Sequence, residues 1–112
     1  MRVFITIEWR MISMVKTVKG DNFEDIKACG VAVADFSATW CGPCKMLGPI
    51  VEQVAQKTQG VKVVKLNVDD AISTAQKYGV VSIPTLIVFN GGKEVKRSVG
   101  LISEQQVSEL IK

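Results

Sequence analysis

From Val15 onward the apolar positions of this chain switch repeatedly between two periods. "VKTV" (15–18) reads as a short strand. "DNFEDIKACG" (21–30) reads as a helix, with Asp21 at its N-cap, Glu24 completing a capping box and Gly30 closing its end. "VAVADFS" (31–37) is almost continuously apolar, the pattern of a strand covered on both faces. Beyond it Leu47, Ile50, Val51, Val54, Ala55 and Thr58 recur at helical spacing, while Lys45, Glu52, Gln53, Gln56 and Lys57 take the other side. That predicts one long helix starting at Cys41, kinked at Pro49, which lacks a backbone donor. "VKVVKLNV" (61–68) is a strand and "AISTAQKYG" (71–79) a short helix ended by Gly79. "TLIVF", the turn "NGG" and "KEVKRSVG" form a hairpin signal, and "SEQQVSELIK" is a last helix capped by Ser103. The order is βαβαβαββα, an α/β chain with parallel strands and helical crossovers first and an antiparallel hairpin last. It folds as a central mixed sheet flanked by helices.

The opening "MRVFITIEWRMIS" stands apart. Its apolar run from Val3 to Ile7 is too short for the core of a signal peptide and is closed by Glu8 and Arg10. Val3, Ile5 and Ile7 alternate as in a strand, and Met14 is a plausible alternative start. We expect residues 1–13 to be an extension of unknown role and 14–112 to be the domain. At 112 residues the chain suits one globular domain, and a 47% hydrophobic fraction is enough for a core without disulfide staples. The net charge of +3 comes from scattered lysines, and aromatic residues make up 6%, so neither a nucleic-acid patch nor a base-stacking surface is expected. No stretch reaches the roughly 20 apolar residues of a membrane span.

The chemistry is concentrated in "FSATWCGPCKML". Cys41 and Cys44 stand three apart at the start of a helix, so their side chains share a face and can form a disulfide. As a staple such a bond achieves little, because a four-residue loop is worth only about 2 kcal/mol against roughly 4.7 for a 100-residue one. A tetrahedral zinc site takes four ligands, and the chain has three cysteines and no histidine; Asp, Glu or a second chain would have to fill the gap. The lack of histidine also rules out a Cys-His hydrolase. Dithiol–disulfide exchange remains. Cys41, where a strand ends and a helix begins, is favoured as thiolate and attacks a substrate disulfide; Cys44 then resolves the mixed disulfide. Cys44, a turn deeper, is expected to be the less exposed. Gly42 leaves the approach open and Pro43 stiffens the first turn.

"WCGPCK", with "DF" upstream and "IPT" some forty residues on, closely resembles the thioredoxin family from about Met14 to Lys112. The Gly-Pro pair resembles the reducing members; disulfide isomerases usually carry Gly-His and glutaredoxins Pro-Tyr. The resemblance implies a thioredoxin fold and a protein-disulfide reductase that binds no cofactor. Electrons would come from a thioredoxin reductase, commonly a flavoprotein using NADPH. The clients would be disulfide-containing proteins such as reductive and peroxide-removing enzymes, met by a monomer in the cytoplasm. It also implies that Asp35 is a buried carboxyl exchanging protons with Cys44, that Lys65 lies near it with a modest modulating role, and that the Ile83–Pro84 bond is cis. Trp40, Gly42, Pro43, Ile83, Pro84 and Gly100 then form an apolar shelf for a bound peptide around Cys41. Read without the resemblance, Asp35 is a strand-end residue reaching water and Lys65 a surface lysine. Ser37 stands where many bacterial members carry tryptophan, and Cys29 matches no catalytic position. Two rival functions are a thiol oxidant or isomerase, and a non-catalytic module that docks through the shelf and tolerates loss of both cysteines.

Overall fold

The apolar run 31–37 forms the strand at the centre of the sheet. The computed structural model describes residues 15–18, 30–58 and 60–111. In chain order the elements are β1 (Val15–Val18), β2 (Val31–Ser37), α1 (Gly42–Lys57), β3 (Val61–Asn67), α2 (Ile72–Lys77), β4 (Thr85–Asn90), β5 (Lys93–Val99) and α3 (Glu104–Ile111). The five strands lie in the order β1-β3-β2-β4-β5. The β1/β3 and β2/β3 pairs are parallel, β2/β4 and β4/β5 antiparallel, so the sheet is mixed as expected. Residues 21–29 of the expected helix, Cys29 among them, and residues 1–13 lie outside the described residues; Gly30, expected to close that helix, takes φ 74.

Alternation along β2 divides the core. Ala32, Ala34 and Phe36 pack with Val64, Leu66, Ile87 and Phe89 under α2, through Ala71 and Ala75. Val33 faces the opposite way with Val61, Val63, Leu86 and Val88, covered by Leu47, Val51, Val54 and Ala55 of α1 and by Val107 and Ile111 of α3. Full burial of each of the larger side chains contributes roughly 1.5–3 kcal/mol. Asp35 follows Val33 on the α1 side, and the register sets it opposite Lys65 of β3 and Leu86 of β4.

The punctuation works through identifiable bonds. Gly79, at φ 66, ends α2: its N–H bonds the Gln76 carbonyl (3.1 Å), and Val80 N–H reaches the Ala75 carbonyl (2.8 Å). Gly91 and Gly92 connect the paired Asn90 and Lys93, both with positive φ (61 and 88), as a two-residue hairpin turn of this twist requires. Ser103 Oγ accepts from Gln106 N–H (3.2 Å) while Gln106 Oε1 accepts from Ser103 N–H (2.9 Å), a reciprocal capping box at α3. The long helix runs through Pro49 and stops at Lys57; Thr58 belongs to its cap, donating from Oγ1 to the Val54 carbonyl at 2.9 Å. No helix among the described residues is long and apolar enough to cross a membrane.

Candidate active site

The sheet places the two cysteines beyond the carboxyl end of β2, where ligand and reaction sites of parallel strands gather. β2 ends at Ser37, and Ala38 to Trp40 turn the chain into α1. Cys41 is the N-cap, in extended conformation (φ −93, ψ 114), and its Sγ accepts from the Cys44 N–H at 3.3 Å. The first turn of a helix leaves its N–H groups without intrahelical partners, and Pro43 in that turn has none to leave. A negative sulfur at the N-cap is therefore met by a donor and by the positive end of the helix dipole.

Cys41 and Cys44 are joined in a disulfide with a Cα–Cα distance of 5.3 Å. Each residue is only 6% exposed, so the expectation that Cys44 is the less accessible is corrected. The physical reason is the bond itself: in the oxidised state each sulfur shields the other, and Ala38, Val68 and Ile83 pack around both. Among the described residues no group of three or more His, Cys, Asp or Glu is placed to hold a metal ion.

Ile83 packs against the cluster that holds the two cysteines, and the Ile83–Pro84 bond is cis. Pro84 is buried, its carbonyl accepts from Gly100 N–H at 2.8 Å, and Gly100 takes φ 97 there, a conformation that favours glycine. Gly42 and Pro43 lie on the surface. Trp40 is 69% exposed, and its ring is anchored at one point, Nε1 donating to Asp69 Oδ2 at 2.9 Å. An exposed indole thus stands beside a buried disulfide.

Asp35 is 2% exposed, which removes the reading of a strand-end residue reaching water. Its Oδ1 has no hydrogen-bond partner among the described residues. Burial pushes its pKa from 3.8 to about 6, opposed by the Lys65 ammonium and reinforced by the Glu52 carboxylate. Lys65 is half-buried, and its Nζ lies 3.6 Å from Glu52 Oε2. Lys65 and Cys44 also line a common cleft of about 480 Å³ with Ser37, Lys45 and Asn67.

Asp69 and Glu52 escaped the sequence reading. Asp69 follows a parallel strand at its carboxyl end, a position that could have marked it. Glu52 fell on the polar side of the predicted helix and carried no signal of its own.

A family model described as Thioredoxin matches residues 14–112. A thioredoxin of Chlamydia muridarum is 49% identical over 98 residues, covering 88% of this chain and 96% of that protein. One from Staphylococcus aureus is 44% identical over 101 residues, covering 89% and 96%. Among solved structures, a mutant thioredoxin from Halobacterium salinarum NRC-1 superposes with a TM-score of 0.83 at 40% identity, covering 88% of each chain. A thioredoxin of Malassezia sympodialis gives 0.77 at 31% identity, covering 88% of this chain and 91% of that one.

Proposed function

This chain belongs to the thioredoxin family, and from that premise we propose how its residues divide the work of reducing protein disulfides. The observation that carries the reading is the Cys41–Cys44 disulfide at a helix start, with a backbone N–H on the Cys41 sulfur. In the dithiol state the Cys41 thiolate attacks one sulfur of a client disulfide. That S–S bond breaks, a Cys41–client disulfide forms, and the other client sulfur departs as a thiolate and takes up a proton. The Cys44 thiol then gives its proton to the Asp35 carboxylate and attacks the Cys41 sulfur. The second client thiolate leaves, and the Cys41–Cys44 disulfide is what remains. A carboxyl with a pKa near 6 suits this proton exchange near neutral pH better than an ordinary aspartate.

The client peptide lies along Ile83, whose backbone offers strand-like pairing before the cis proline, with Trp40, Gly42, Pro43, Pro84 and Gly100 around it. Lys65 modulates Asp35. Residues 14–112 form the working domain, acting as a monomer. It binds no cofactor of its own: the electrons come from an NADPH-dependent reductase. A reductant of this kind works in the cytoplasm, where thiols are kept reduced. The Gly-Pro pair between the cysteines supports the reducing direction.

The test is reconstitution. With NADPH and a flavoprotein thioredoxin reductase, catalytic amounts of this protein drive NADPH oxidation coupled to cleavage of the interchain disulfides of insulin. A protein that instead stays oxidised and inserts disulfides into a reduced client is the oxidant of the rival reading.

A further inference from the structure

Asp35 and Lys65 face one another in register across β2 and β3, which ordinarily pairs a carboxylate with an ammonium. The side chains do not complete that pair. Lys65 Nζ lies 3.6 Å from Glu52 Oε2 on α1, and Asp35 Oδ1 is left without a hydrogen-bond partner among the described residues. Gly48 marks the same displacement. A Cβ built there meets Lys65 Nζ at 3.5 Å, so the ammonium rests against the α1 backbone at a position without a side chain. A methyl group at that distance would be in ordinary van der Waals contact with the ammonium, so the lysine head lies close against α1.

We propose that Glu52 is a positioning residue of this site: it draws the Lys65 ammonium onto α1 and away from Asp35, and so sets how readily Asp35 gives up its proton. The role rests on the reading of Asp35 as the proton partner of Cys44. Among the described residues the groups facing Asp35 are few. Lys65 faces it from β3, Glu52 and the disulfide-bonded Cys44 belong to α1, and its partner on β4 is the uncharged Leu86. The α3 residues on this face of the sheet are Val107 and Ile111, also uncharged. Desolvation is the largest influence on Asp35, and the fields of Lys65 and Glu52 act on it with opposite signs. Removing the Glu52 charge therefore takes away a repulsion and frees a cation, and both changes favour the carboxylate.

The experiment follows the Asp35 carboxyl carbon by NMR titration in the oxidised full-length protein. The four forms are the parent, Glu52→Gln, Lys65→Met and the double variant. Glu52→Gln is expected to raise the acid dissociation constant of Asp35 by about threefold or more, and Lys65→Met to lower it. In the Lys65→Met background the effect of Glu52→Gln should fall to less than half, because most of it runs through the lysine. An unmoved Asp35 titration in Glu52→Gln, or an equal shift with and without Lys65, overturns the proposal. The rate at which Cys44 resolves a preformed mixed disulfide, measured against pH in the parent and Glu52→Gln, separates the two claims. A profile that moves with the Asp35 titration supports both. A moved titration with an unmoved profile overturns Asp35 as proton partner and leaves the Glu52 role standing.

Discussion

Replacing Cys41 by Ser ends protein-disulfide reduction, and replacing Cys44 by Ser arrests it one step later. Cys41 is the sulfur at the helix start, with the Cys44 N–H on it at 3.3 Å, so its thiolate is the one the fold stabilises. A serine hydroxyl at that position is not ionised near neutral pH and does not attack a disulfide. Turnover of Cys41→Ser should fall below about one thousandth of the parent, the scale on which loss of a nucleophile acts. Cys44→Ser keeps the attacking thiolate and lacks the thiol that releases the product. It should therefore accumulate a covalent adduct with a disulfide client, visible as added mass on a non-reducing gel and absent after dithiothreitol. Cys41→Ser should give no such adduct. If both variants retained function, the site would be a docking surface and its disulfide incidental.

The second large effect falls on stability and rate together. Asp35→Ala should make the protein more stable and slower. In the parent the group has a pKa of about 6 when folded, against an ordinary 3.8. Below pH 4 both states hold the proton and the site costs little. Between about pH 4 and 6 the unfolded chain releases it while the folded one retains it, so stability falls as pH rises, and above 6 the full deficit is present. A displacement of this size corresponds to about 3 kcal/mol. The alanine variant escapes the deficit and leaves a small cavity in its place. Its gain in urea unfolding should reach about 2 kcal/mol at pH 8 and vanish near pH 4. Insulin reduction should slow about tenfold or more through loss of the proton partner. A variant less stable than the parent at pH 8 would contradict this account of Asp35.

Most of the framework is legible in the chain because each element carries a single dominant signal. The almost continuous apolar run of β2, broken only by Asp35 before its last two residues, marks a strand covered on both faces, and the "NGG" between β4 and β5 supplies two residues with positive φ where a tight turn needs them. The cysteine motif and "IPT" place the site, including the cis Ile83–Pro84 bond. The rest depends on packing across the chain. Asp35 and Lys65 both read as strand residues, but only the insertion of β3 between β1 and β2 sets them opposite one another. Trp40 finds Asp69 twenty-nine residues away. Glu52, polar in the helical pattern, meets at 3.6 Å a lysine that comes from β3. Equal burial of the two cysteines follows from the bond between them, a property of the oxidised state that no spacing records.

The direction of electron flow is the centre of this account, and the reduction potential of the Cys41–Cys44 pair tests it most directly. The protein is equilibrated against a reference dithiol and the oxidised fraction counted by thiol alkylation and mass. A potential more negative than about −230 mV, beyond the reducing edge of the glutaredoxin range, is the predicted result and makes the pair a donor of electrons to protein disulfides. A value near −120 mV would make it a donor of disulfides and contradict the account.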